Sequence, residues 1–150
     1  VHHLAKDCEN IAGIKDTMDT ISHTRELIAG VKEKLNDFAV YSGFDEYFLP
    51  NLLAGGDGLV GGLSNVVPEI YVEMYQAYQI DDFNIISLLS KRISILMEIY
   101  KVSQPFFPAI KQAVALMDRD IIPVCKQPVA DLSKDQVKKI ENIIQRAFNT

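Results

Sequence analysis

A short apolar run followed by a helical stretch occurs three times in the first 78 residues, at spacings of roughly 20–25 residues. Ile11-Ala12-Gly13-Ile14 is the first run, and Ile21, Ile28, Val31 and Leu35 after it fall on one face of a helix. Phe38-Ala39-Val40-Tyr41-Ser42 is the second, stopped by Gly43 and followed by a shorter helix over 45–54. Leu59-Val60-Gly61-Gly62-Leu63 is the third, behind the turn cluster Gly55-Gly56-Asp57-Gly58 and ahead of a helix that opens at Pro68. Strands alternating with helices through short connections pair as a parallel sheet with right-handed crossovers. Three strands leave two open edges, which a (β/α)8 barrel of about 250 residues would close. The expected class is therefore α/β, the last three βα units of a TIM barrel followed by a C-terminal helical extension. Residues 1–78 hold the barrel units and 79–150 the extension. A compact three-stranded α/β domain is the alternative; the missing initiator Met and the start just ahead of a strand favour an excerpt of a longer barrel.

The extension reads as helices alone. Asp81 or Asp82 can cap a helix running to about Val102, with Ile85, Leu88, Leu89, Ile93, Leu96 and Ile99 as its apolar face. Pro105 and Pro108 end it, a helix follows over 109–117, and Pro123 and Pro128 mark a loop. Ser133 and Gln136 form a capping box that opens the last helix, which buries Val137, Ile140, Ile144 and Phe148.

Charge and cysteine usage remove several function classes. A formal net charge of −5 and a pI near 5.1 argue against nucleic acid or an anionic membrane surface as partner. Cys8 and Cys125 are far apart with no CxxC, so neither a metal knuckle nor a disulfide framework is indicated, and a cytoplasmic location fits. No run reaches the roughly 18 apolar residues of a membrane span. His2, His3 and His23 have no metal-ligand spacing and are expected to be exposed, and Tyr71, Tyr75 and Tyr78 fall at helical intervals that suit core or subunit contact.

One residue breaks the first apolar run. In a strand beginning at Ile11, residues 11, 13 and 15 share a side, so Lys15 stands at the carboxyl end on the side of Gly13. Parallel α/β folds place their chemistry at that end. An amine held among apolar neighbours has its ammonium form destabilised, which makes the free amine available to attack a ketone.

GIKDT at 13–17, SGFDEY at 42–47 and AGGDGLVGGLSNVVPE at 54–69, in that order, resemble the dihydrodipicolinate synthase / N-acetylneuraminate lyase family of class I aldolases, and the likeness extends through the C-terminal helices. It implies that Lys15 forms a covalent Schiff base with pyruvate or with the keto group of a substrate, so no cofactor or metal is required. Within the family, GIKDT with Asp19 and LLAGGDG at 52–58 are similar to the 2-keto-3-deoxy-sugar-acid aldolases. Gly43-Phe44-Asp45-Glu46 is similar to the Gly-aromatic-Asp-Glu of sialic acid lyases, where glycine, aspartate and glutamate contact sugar hydroxyls. Thr17 corresponds to a substrate-contacting threonine of those lyases. The backbone around Val60 and Gly62 corresponds to the wall against pyruvate, although the lyases carry a serine where this chain has Gly62. Physically, Asp45 and Glu46 suit polyol recognition, carboxylates being acceptors for vicinal hydroxyls, or equally a solvated first helical turn.

The implied activity is a pyruvate-dependent aldolase cleaving or forming a 2-keto-3-deoxy sugar acid, with pyruvate and a small aldehyde as partners. N-acetylneuraminate lyase or dihydrodipicolinate synthase-like activity is the alternative. The family's usual homotetramer implies self-association. Two family features are expected to lie outside these residues: a paired-hydroxyl motif for the pyruvyl carboxylate, and a fifth-strand tyrosine within a YxxP motif that relays protons, none of the tyrosines at 41, 47, 71, 75, 78 and 100 being expected in a YxxP context. The chain alone is thus expected to be a poor catalyst without an N-terminal half-barrel. The contrary possibility is a non-catalytic half-barrel that serves oligomerisation or interaction.

Overall fold

A computed structural model describes residues 1–117 and 120–149, in two compact units, Val1–Gly61 and Gly62–Thr150. The first holds helix α1 (His2–Asp7), strand β1 (Gly13–Asp16), helix α2 (Ile21–Leu27), strand β2 (Ala39–Ser42), helix α3 (Phe48–Leu53) and strand β3 (Gly58–Leu59). The strands form one sheet in the order β1-β2-β3, both pairs parallel, with Lys15 opposite Tyr41 and Ser42 opposite Leu59. Strand alternation divides the sheet into two faces. Ile14 and Val40 turn towards the helices, where Val40 joins Leu27, Ile28, Val31 and Phe38 in a core that Ile11, Ile14 and Ala54 border. Lys15 and Tyr41, on the opposite face, are exposed.

Side chains stitch this unit where its ladder is short. Asn51 on α3 is fully buried and donates from Nδ2 to the carbonyls of Val40 (3.1 Å) and Gly58 (2.6 Å), joining β2 to β3. Asp57 accepts the Val40 amide at 2.7 Å and both its carboxylate oxygens lie 2.6 Å from the Lys32 ammonium. Gly55, at φ +90°, takes a conformation that a side chain disfavours.

Three expectations are corrected here. Helix α1 has no counterpart in the periodicity, because none of its residues is buried. The third strand is two residues long: after Leu59 the chain leaves the ladder and Leu63–Asn65 is a 3-10 turn. The helix after β1 passes into a wide π-type turn over Ile28–Lys32, which carries later positions round the axis and leaves Leu35 exposed.

The second unit is helical: α4 (Pro68–Gln79), α5 (Phe83–Leu96), α6 (Phe107–Leu116) and α7 (Lys134–Phe148). Asp82 caps α5, accepting the amides of Asn84 and Ile85, and Ser133 with Gln136 forms the expected capping box. The buried stripe of α5 runs through Ile86, Leu89, Ile93 and Leu96, with Ile85 and Leu88 half-buried at its side. That of α7 is Ile140, Ile143 and Ala147, while Val137 and Ile144 are half-buried and Phe148 is exposed under the Arg92 guanidinium at 5.9 Å. The small Ala147 takes the buried place that its larger neighbour was expected to fill. Pro108 sits in the first turn of α6 instead of breaking a helix, since its missing N–H costs nothing there. Of the tyrosines on α4, Tyr71 is buried and Tyr75 exposed. Among the described residues no helix is long and apolar enough to cross a membrane.

Candidate functional site

The carboxyl ends of the strands bring most of the sequence-derived candidates together. Lys15 is the penultimate residue of β1 and lies on the uncovered sheet face, exposed rather than packed among apolar side chains as its sequence context suggested. Thr17 follows at the mouth of the strand. The amide of Gly43 donates to the Asp16 carbonyl at 2.7 Å, drawing the two strand ends together, and a β-carbon on Gly43 would collide with the Thr17 hydroxyl. Position 43 therefore admits only glycine while Thr17 stays where it is.

Beyond Gly43 the chain turns sharply. The Ser42 hydroxyl donates to the Phe44 carbonyl at 2.8 Å and accepts the Phe44 amide at 3.2 Å. This turn sends Asp45 inward, where it is 2% exposed, and a β-carbon on Gly61 would meet its carboxylate. A solvated first turn thus describes the exposed Glu46 and not Asp45. Val60, with its amide donating to the Ser42 carbonyl at 2.9 Å, is exposed. Gly62 opens the second unit, where a β-carbon on it would meet the Tyr100 hydroxyl.

Two polar clusters escaped the reading of the sequence. Asp16, next to the lysine but on the helix-facing side, is 4% exposed. It accepts a 2.6 Å hydrogen bond from the Thr24 hydroxyl, and its two carboxylate oxygens each lie 3.0 Å from Nδ1 of His23. The Met18 amide donates to it at 3.3 Å. Burial pushes its pKa up, but the Thr24 and His23 hydrogen bonds, the His23 charge and the Met18 amide outweigh that and hold it below the usual carboxylate value. His23 is thus half-buried against a carboxylate, not free in solvent. The signal was present: strand alternation places Asp16 on the side of Ile14, and a carboxylate there needs donors from the following helix.

The second cluster crosses the mouth. Tyr47 donates its hydroxyl to Asp19 at 3.0 Å, which raises the phenol's pKa, and its ring lies 5.6 Å from that of Phe44. Tyr47-Phe48-Leu49-Pro50 also spells YxxP, correcting the expectation that no tyrosine here stands in that context. The motif here follows β2 and runs into α3, so its neighbours are those of a helix start and not of a fifth strand. Among the described residues no group of three or more His, Cys, Asp and Glu is placed to hold a metal ion.

Three parallel strands, the helices of their own unit packed on one face and a lysine at a strand's carboxyl end define an α/β piece of a barrel built on the usual plan of such folds. Residues 1–147 match the dihydrodipicolinate synthetase family, and the chain belongs to it. It is 33% identical over 144 residues to the probable 2-dehydro-3-deoxy-D-pentonate aldolase YjhH of Escherichia coli K12, covering 96% of this chain and 48% of that relative. The crystal structure of YagE, a prophage protein of the same family from Escherichia coli K12 in complex with pyruvate, superposes with a TM-score of 0.93 at 28% identity, over 98% of this chain and 49% of that one. Proteus mirabilis N-acetylneuraminate lyase shares the fold, with a TM-score of 0.79 at 16% identity over 97% of this chain and 48% of that one. The chain spans about half the length of the curated relatives it matches.

Proposed function

We propose that this chain carries the carbonyl-capturing half of a pyruvate-dependent class I aldolase that cleaves or forms a 2-keto-3-deoxy sugar acid. The observation that carries the reading is the place of Lys15: the carboxyl end of β1, on the sheet face that no helix of its unit covers, in a chain of this family. The free amine adds to the keto carbon to give a carbinolamine, loss of water leaves a protonated imine, and breaking the bond between the α and β carbons sends its electron pair into that imine, leaving an enamine and releasing the aldehyde. That bond breaks only if a base removes the proton of the substrate hydroxyl.

Thr17, Gly43, Asp45 and Glu46 are assigned to the distal hydroxyls of the substrate, and the backbone at Val60 and Gly62 to the wall beside the pyruvyl group. Glu46 is exposed for this role, whereas Asp45 has to act from beneath Gly61. The likeness to YjhH, which is named for a pentonate aldolase, supports a sugar acid as substrate. We assign the chain to the last three βα units and helical tail of the barrel, divided at residues 78 and 79, with the paired-hydroxyl site and the proton relay supplied by an N-terminal half and the complete protein self-associating in the cytoplasm.

Borohydride reduction in the presence of pyruvate tests the reading. One reduced pyruvyl unit should appear on Lys15 of the complete protein and be absent from Lys15→Ala. Lys15→Arg should also fail, because a guanidinium stays protonated. Labelling that survives in Lys15→Ala removes Lys15 from the mechanism.

A further inference from the structure

We propose that Asp16 is a positioning residue for the turn out of β1: clamped by Thr24 and His23, it holds Thr17 where the substrate's distal hydroxyls are met. This deepens the aldolase reading and rests on it for the identity of the ligand.

The carboxylate lies at the last position of β1, on the face opposite Lys15, and uses both its side chain and its main chain. Its carbonyl receives the Gly43 amide at 2.7 Å and one carboxylate oxygen receives the Met18 amide at 3.3 Å, so Thr17 is bracketed by two hydrogen bonds that Asp16 accepts. Thr24, itself 1% exposed, and His23 reach back from the first turns of α2 to the same carboxylate. A buried carboxylate costs more than an apolar side chain, and Ile14, two residues earlier on the same face of β1, packs against the helix-side core. What the carboxylate adds is geometry: it ties three successive segments, the end of β1, the loop over 17–20 and the start of α2, to one point. Gly43 completes the arrangement, since a β-carbon at that position would displace the Thr17 hydroxyl. Lys15 depends less on the clamp, because its backbone is paired in the ladder opposite Tyr41.

The test compares Thr24→Val, which keeps the shape but removes the donor, with Thr24→Ser, which keeps the donor, in the complete protein. Loss of one hydrogen bond to a charged acceptor should raise KM for 2-dehydro-3-deoxy-D-pentonate about tenfold in Thr24→Val. Pyruvate capture at Lys15 should stay within about twofold, and Thr24→Ser should recover most of the loss. Amide exchange should show Met18 and Gly43 losing protection in Thr24→Val and regaining it in Thr24→Ser. If Thr24→Val does not fold, His23→Ala, at a half-exposed position, should move KM and both amides in the same direction.

An unchanged KM with unchanged amides overturns the proposal. So does an equal loss of pyruvate capture and sugar-acid binding, which marks general loosening of the unit. If the wild type neither captures pyruvate at Lys15 nor cleaves the pentonate, the aldolase reading fails separately. The clamp is then judged on the two amides alone: lost and restored supports it, unmoved overturns it.

Discussion

The residues around Lys15 show how two adjacent positions of a strand serve the two faces of a sheet. Lys15 points to the uncovered side and Asp16 to the helices, and the donors that Asp16 recruits are what make its burial tolerable. Because its pKa is held below the ordinary value of 3.8, its contribution to stability is complete above that pH and is lost as pH falls through the lower folded value. Acid unfolding followed by circular dichroism should therefore begin at a higher pH in Thr24→Val than in the wild type, because the variant's Asp16 protonates earlier. A coincident acid transition in the two proteins would contradict the clamp. Gly43→Ala tests the neighbouring contact. The added methyl meets the Thr17 hydroxyl, and overpacking of this kind costs roughly 1–3 kcal/mol, measurable as a lowered urea midpoint.

Elements of this chain are short, and side chains complete what their ladders and turns leave open. β3 has two residues, and the Gly58 carbonyl is held by Asn51 from α3. Asn51→Leu should cost about 1–3 kcal/mol by stranding that buried acceptor, with faster exchange of the β3 amides than of the β1 amides. Helix α7 depends on its start in a similar way: Ser133 accepts the Gln136 amide at 3.2 Å while Gln136 accepts the Ser133 amide at 2.9 Å. Ser133→Ala should lower stability by about 1 kcal/mol in denaturant unfolding. The capping box was legible because a cap is local, spans only Ser133 to Gln136 and is spelled by residue type. The buried stripe of the same helix was read one position off at Ile144 and Phe148, because only the partner surfaces decide which of two adjacent apolar rows goes inward.

At the scale of the molecule, a sheet with one covered face accounts for most of what is expected of the chain. The helices of the first unit bury Val40 and its neighbours, while Lys15 and Tyr41 on the other face stay exposed. We expect the isolated chain to self-associate, since its sheet has two edges and the helices of its own unit cover one face, and to become protected against exchange when an N-terminal half carrying five further strands is added. Sedimentation and hydrogen exchange with and without that half decide it. A monomer with fully protected strand amides and no response would identify a self-sufficient domain instead.

Parallel pairing, the family and the lysine at a strand's carboxyl end were readable from the chain alone, because each follows from local spacing or from a motif of a few residues in order. Tertiary structure alone decided three things. It buried Asp45 under Gly61, joined Asp16 to Thr24 and His23, and left Lys15 exposed. The reason is physical: burial and hydrogen bonding depend on which segments meet in space. A sequence records the hydrogen-bonding capacity of a carboxylate or an amine, and only packing determines whether water or a neighbouring side chain satisfies it.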